Sequence, residues 1–326
     1  MLELDAHVWE MLGRYIGAGM ALGFGGIGAA VGMGVAAGQA NVGIMRQPET
    51  QGYMLRTMLI GQAVGGSPSI FALVIGLLLL FLPTGSMNGA FFAAAMIGAG
   101  LSIGLGCFGS GLGCGWPAGK ACDGVARNPR NSTAITTSMI IGQAVAQSPS
   151  IFATVVSLVL LFVLPAPSSV FTAFGICLGA GFAMGAGALG PGIGSGQTAS
   201  GAVHGAARWP GSTALTVRTM LIAQAVSQTP AIFGMLVALI LIFASADLPT
   251  GVMGLAITLG AGISVGLGGI GPGIGSGMAG DFACQATAAK PRLDSLILRT
   301  MLIGQAVSQS TAIYALIISL LLLYVL

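Results

Sequence analysis

The sequence predicts an all-α integral membrane protein whose eight transmembrane helices form four tandem copies of one helical hairpin and assemble into a ring. Three observations lead there. The 326 residues are 55% hydrophobic and only 6% charged, whereas a soluble domain carries about 25% charged residues. Apolar runs such as ALVIGLLLLFL (72–82) and IISLLLLYVL (317–326) sit inside longer uncharged stretches, which meet the roughly 20 residues a helix needs to span a bilayer. Finally, Pro48, Pro129, Pro210 and Pro291 follow one another at a constant interval of 81 residues, with no gap.

The repeat extends well beyond the prolines, which stand in RQPE, RNPR, RWPG and AKPR. Ten residues after each comes Met58, Met139, Met220 or Met301, opening MLIGQAV, MIIGQAV, MLIAQAV and MLIGQAV. Such self-similarity marks a repeat architecture, with hairpins expected over 1–85, 86–166, 167–247 and 248–326. Each copy reads as a glycine-rich helix, a polar loop around the proline, and a bulkier helix rich in Leu, Ile, Val and Phe. The stretches LPTGSMNG, LPAPSS and ADLPTG supply the turns between copies. An even number of spans puts both termini on one side of the membrane. Ten of the 11 basic residues cluster near the proline loops, Arg14 being the exception, so those loops are expected in the cytoplasm. The opening MLELDAHVWEMLGRY lacks a basic n-region and a small-residue cleavage site, so no cleavable signal peptide is expected.

Seven glycines recur in every first helix: Gly17, Gly19, Gly23, Gly25, Gly28, Gly32 and Gly34 in the first copy. In water each would cost roughly 0.5–1 kcal/mol relative to alanine, so close helix approach should compensate. At about 100° per residue, Gly17, Gly25, Gly28 and Gly32 gather on one side, and Gly19, Gly23 and Gly34 nearly opposite. Glycine on two opposed faces suits a helix squeezed between two like neighbours, a contact that closes a ring when repeated. The expected packing residues are Gly25, Gly28 and Gly32, with Gly106, Gly109, Gly113, Gly187, Gly190, Gly194, Gly268, Gly271 and Gly275 in the later copies. The oily second helices fit an outer rank facing lipid. A compact eight-helix transporter built of parallel repeats is the alternative.

Chemistry-bearing residues are few. The five cysteines lie in apolar or glycine-rich segments and read as packing residues. No nucleophile–base or metal-ligand constellation appears, so neither an enzyme acting by itself nor a cofactor or metal is expected. The net charge of +3 gives no reason to expect nucleic acid.

Taken together, GIGAAVGMGVAAGQA, RQPE and MLIGQAV followed by SIFALVIGLLLLF resemble the c subunit (proteolipid) of F-type ATP synthases. MLIGQAVSQSTAIYALIISLLLLY in the fourth copy is similar to the second helix of sodium-type c subunits. The resemblance covers all but about a dozen N-terminal residues of the 326. It implies a membrane ring, built with other copies or with ordinary c subunits, set in lipid and meeting the central stalk and a subunit of a rotary ATPase. The stalk-facing loops would be Arg46, Gln47, Pro48 and Glu49, then Arg127 and Pro129, Arg208 and Pro210, and Lys290 and Pro291.

The resemblance also implies an outer-helix carboxylate that binds H⁺ or Na⁺. That position holds Gly66, Gln147, Gln228 and Gln309. The eight acidic residues are Glu3, Asp5, Glu10, Glu49, Asp123, Asp247, Asp281 and Asp294, and none is expected in a second helix. An amide does not titrate in any usable pH range, and a sodium ion in lipid needs a neutralising anion. The inner-helix glutamine of sodium-type relatives is replaced as well, by Met33, Cys114, Ser195 and Ser276. Gln62, Gln143, Gln224 and Gln305 remain as expected hydrogen-bonding glue between helices, contributing ~0.6 kcal/mol each. In the fourth copy Ser310, Thr311 and Tyr314 are polar neighbours of the slot. Pro68, Pro149 and Pro230, but Thr311 in the fourth copy, should free the carbonyls of Val64, Val145 and Val226 and bend the helix. These features point to a rotor-like ring subunit whose hairpins carry no ion, or to a static c-ring-like scaffold.

Overall fold

The computed structural model describes residues 6–82, 89–163, 169–243 and 249–325. Most of the three turns expected between copies therefore lies outside the described residues, as do Glu3, Asp5 and Asp247. Each copy places one long helix beside a second that runs back. The long helices are α1 (Ala6–Arg46), α4 (Gly89–Arg127), α7 (Val170–Arg208) and α10 (Val252–Ala289). The returning helices are α2 (Gln51–Gly65) with α3 (Ser67–Phe81), α5 (Ser132–Ala146) with α6 (Ser148–Phe162), α8 (Thr213–Ser227) with α9 (Thr229–Phe243), and the unbroken α11 (Asp294–Tyr324). Among the described residues, eight helical stretches are long and apolar enough to cross a membrane.

Between the long and returning helices, each loop proline opens a single 3-10 turn, at Pro48–Thr50, Pro129–Asn131, Pro210–Ser212 and Pro291–Leu293. Proline suits a first helical position, because that N–H would lack an intrahelical partner in any case. The residue before it is held out of the helical region, as at Gln47 with φ −140° and ψ 79°, because the proline ring clashes with a helical residue there. The chain therefore reverses in very few residues. Asp294, expected in the loop, is the first residue of α11, where its charge complements the positive helix end.

The glycine-rich helices form an inner rank in chain order, α1 on α4 on α7 on α10, and the returning helices form an outer rank. Helices α4 and α7 are buried along almost their whole length, while α1 and α10 keep one open side. The glycines explain how closely the rank packs. A Cβ at Gly28 would run into the backbone of Phe108, one at Gly109 into Leu189, and one at Gly190 into Ile270. On the opposite face Gly100 lies against Gly17, Gly115 against Gly32 and Gly196 against Gly113. Both faces are thus used.

Two of the expected packing sets divide differently. Gly25, Gly106, Gly187 and Gly268 make room mainly for Ala72, Ala153, Gly234 and Ala315 of their own outer helices. Gly271 meets nothing, and Gly275 meets only Ser308 of its own hairpin. The outer helices present large apolar side chains outward, including Leu59 (60% exposed), Ile70, Leu77, Ile151, Val155, Ile232 and Leu236, as a lipid-facing rank requires.

Candidate functional site at the hairpin junctions

Two rows of glutamine amides join the ranks. In the first row, Gln62 donates to the Met33 carbonyl at 3.1 Å, and Gln143, Gln224 and Gln305 donate to Cys114, Ser195 and Ser276, each at 2.9 Å. The acceptors are the backbone carbonyls of the inner-helix positions singled out from sequence. The second N–H of the amide reaches the preceding hairpin: Gln143 to Gly61 at 2.9 Å, Gln224 to Gly142 at 3.0 Å and Gln305 to Ala223 at 3.1 Å. Each of these glutamines thus ties three helices together. Gln62, in the first hairpin, has only its inner-helix bond among the described residues.

The second row is formed by the glutamines at the positions where the resemblance leads one to expect a carboxylate. Gln147 donates to the Val64 carbonyl at 2.7 Å, Gln228 to Val145 at 2.8 Å and Gln309 to Val226 at 3.1 Å. These acceptors are the carbonyls whose ordinary helical donors are lost to Pro68, Pro149 and Pro230. The outer helix breaks at the same place, with Gly66, Gln147 and Gln228 standing between its two segments. A backbone carbonyl unsatisfied in hydrocarbon costs several kcal/mol, and here an amide from the next hairpin satisfies it. The orientation of each amide follows from its acceptor, because the reverse flip would set two oxygens against each other. Gln147, Gln228 and Gln309 are all buried, and the amide oxygen of Gln309 is without a hydrogen-bond partner among the described residues.

Gln309 has a further contact, donating to the Ser276 hydroxyl at 2.9 Å. The expected neighbours of the fourth slot are not brought to it. Ser310 and Thr311 bond back to Val307 and Ser308 of their own helix, and Tyr314 points outward. The slot glutamine lies between two hairpins, whereas these three residues sit on the free side of the last one. Gly66 adds no side chain to the first slot; a Cβ there would come nearest to the Gln62 carbonyl and the Met33 sulfur.

Among the described residues, no carboxylate lies within the outer helices beyond Asp294 at the start of α11. Asp281, five residues beyond Ser276, accepts from Gln285 at 2.8 Å and packs against Gly201. Gln285 in turn contacts His204 at 3.2 Å. At the loop end Asp123 holds both Arg46 at 3.2 Å and Arg127 at 3.1 Å, and Arg218 pairs with Asp294. Asn131 reaches the Ala206 carbonyl at 2.9 Å. Pro48 and Glu49 are exposed in the first loop. At the opposite end Arg14 donates to the carbonyls of Leu80 and Leu82, both at 2.7 Å, closing the C-terminus of α3. The five cysteines are free and buried, and no group of metal-ligating side chains occurs among the described residues.

The family model for the C subunit of ATP synthase matches four times, over residues 16–79, 97–160, 178–241 and 259–322. The chain belongs to the ATP synthase C-subunit family. The ATP synthase c subunit of Natranaerobius thermophilus is 54% identical over 78 residues, which is 24% of this chain and 90% of that protein. That of Alkaliphilus oremlandii is 53% identical over 66 residues, 20% of this chain and 74% of the relative. Desulfosudis oleivorans supplies another at 43% over 91 residues, 28% of this chain and 92% of the relative. One hairpin therefore corresponds to nearly a whole relative, and this member of the C-subunit family is four of them fused. The c subunits it resembles are membrane-sector components of ATP synthase and not enzymes by themselves.

In the sequence each slot is naturally paired with the proline of its own copy. The structure pairs each slot glutamine with the proline of the copy before it. The signal is present, since Gln appears only in copies that follow a proline-bearing copy. Ser102, Ser157, Ser264 and Ser319, which tie inner and outer helices through the carbonyls of Ala153, Ala99, Ala315 and Ala261, have no distinguishing sequence signal.

Proposed function

We propose that this chain is a membrane ring subunit of the c type whose own four hairpins carry neither H⁺ nor Na⁺. The observation behind this reading is the bond from Gln147, Gln228 and Gln309 to the preceding hairpin's freed carbonyl. The slot is filled by a neutral side chain already committed to a neighbour. It offers no proton to release and no charge to balance a cation, so the chain supplies helices and loop surface rather than ion traffic. The partners are copies of itself or ordinary c subunits in the ring, with lipid around them. A central stalk would meet the exposed proline loops on the cytoplasmic side, and a rotary a subunit the outer rank.

A static scaffold is the second reading, and one observation favours it. All four slots lack the carboxylate, so no hairpin of this chain gives the ring a step driven by ions. Carbodiimide labelling tests the shared premise. Reagents of this class modify protonated carboxyls buried in lipid, so the purified chain is expected to show no sodium-protected labelling in its outer helices. Gln309→Glu is expected to create a reactive group whose labelling falls as pH rises through its pKa, because only the protonated carboxyl reacts. Sodium-protected labelling of the unmodified chain at Asp281 would mean that the ion site has moved rather than vanished. Rotation separates the two readings: a labelled ring that turns with ATP hydrolysis in the assembled complex favours the rotor.

A further inference from the structure

We propose that both free edges of this chain dock a second copy of the same chain, head to tail, through a seam that lacks the proline–glutamine bond of the internal junctions. This rests on the ring-subunit reading and decides which partner lies at the edge. Every internal junction carries a matched pair: Pro68 with Gln147, Pro149 with Gln228, and Pro230 with Gln309. The leading hairpin frees a carbonyl and the following one supplies an amide. The fourth hairpin has Thr311 where the others have proline, and α11 runs unbroken for 31 residues. With no proline at 311, the Val307 carbonyl keeps its ordinary helical donor. The first hairpin has Gly66 where the others have glutamine, and so has no amide to give at that level. The two gaps fall opposite each other only where the fourth hairpin of one copy leads the first hairpin of the next. Beside a proline-bearing hairpin, Gly66 would leave a carbonyl bare in hydrocarbon.

The inner rank gives the same answer independently. Along it, a residue of one helix faces the residue 80 positions on, as Gly28 faces Phe108, Gly109 faces Leu189 and Gly190 faces Ile270. One further step sets Gly271, which meets nothing, against Ile27 of the next copy, which is 50% exposed. The same register sets Phe282, 66% exposed, over Gly38, whose Cβ position is open. A large side chain thus faces an absent one, as Asp281 faces Gly201 inside the chain. Gly19, Gly23 and Gly34 of α1 also meet nothing, whereas their counterparts Gly100, Gly104 and Gly115 lie against Gly17, Met20 and Gly32. One position departs. Ala30 stands where the internal junctions have Gly111, Gly192 and Gly273, each with backbone where a Cβ would go. The seam is therefore set slightly wider there, and each chain is a four-hairpin block joined to the next without the proline–glutamine bond.

Combining Gly38→Cys with Phe282→Cys tests the seam directly. Mild oxidation of the purified double variant is expected to give a ladder of covalent chain multimers, absent from each single variant and from the unmodified chain with its buried cysteines. A ring that yields no ladder and contains a carboxylate-bearing c subunit at the edge would overturn this inference and leave the ring reading standing. A lone eight-helix bundle in native mass spectrometry would overturn both. Should the cysteine variants not fold, native mass spectrometry of the unmodified ring serves instead. Masses at whole multiples of the 32.3 kDa chain, dissociating in whole-chain units, are expected, and any other subunit mass in the ring overturns the inference. Gly66→Gln together with Thr311→Pro should install the missing pair and raise the temperature at which the ring falls into single chains. Either change alone should not, and a double variant no more resistant than the parent would count against the seam as described.

Discussion

A glutamine amide differs from a carboxylate in two ways that matter at positions 147, 228 and 309. It stays neutral at every accessible pH, and it donates where the carboxylate can only accept. Set opposite a carbonyl that proline has stripped of its donor, the amide makes a bond between hairpins. Interhelical hydrogen bonds in membranes average ~0.6 kcal/mol. Removing this donor should cost more, about 1–3 kcal/mol, because it leaves a buried acceptor unsatisfied. Gln147→Leu is accordingly expected to lower the stability of the detergent-solubilised chain by about that amount, read by reversible denaturation. Pro68→Ala returns a backbone donor to Val64, so adding it to Gln147→Leu should recover most of the loss. A double-mutant cycle reports this coupling directly, and additive effects would show that the two side chains act independently.

At the scale of elements, proline and glycine placement decides which helices bend and which approach. Outer helices break where proline follows the slot and stay whole where threonine replaces it, a distinction legible from the sequence. The hairpins and the two opposed glycine faces are legible too, because each depends on local periodicity. What is not legible depends on contacts between copies. Gly25 and its repeats group with Gly28 by helical angle, yet they face their own outer helix, since angle alone does not say which neighbour fills each sector. Likewise Ser310 and Tyr314 lie near Gln309 in sequence but on the far side of its helix. The same distinction separates glycine substitutions. Gly113→Leu should prevent α4 and α7 from closing, because the Gly192 backbone occupies the space, and the variant should be lost from the folded fraction in size-exclusion chromatography. Gly34→Ala, at a position with nothing nearby, should leave the single chain folded although the equivalent Gly115→Ala should not. Equal behaviour of these two alanine variants would mean that the rank has no open edge.

For the whole molecule, the basic residues gather at one end. Arg46, Arg127 and Arg208 close the inner helices α1, α4 and α7, and Lys290 follows α10. Arg130 and Arg292 lie in the neighbouring loops, and Arg56, Arg218 and Arg299 in the second turn of the returning helices. Three ion pairs take up some of this charge, joining Asp123 to Arg46 and Arg127, and Asp294 to Arg218. Orientation, however, responds to the number of Lys and Arg residues in short loops rather than to net charge. Those pairs therefore do not weaken the asymmetry. At the other end Arg14 is engaged with Glu10 and with the carbonyls that end α3, a structural use of a lone cation. The expected outcome is that Glu49→Cys and Arg130→Cys, both at exposed loop positions, react with a membrane-impermeant maleimide only from the cytoplasmic face. Thr250→Cys, exposed at the other end, should react only from the opposite face. Each substitution leaves at least nine basic residues near the loops, so none should invert the protein by itself. Labelling of Glu49→Cys from outside the cell would place the proline loops away from any cytoplasmic stalk, and the chain could then share the ring architecture of its family but not its rotor contacts.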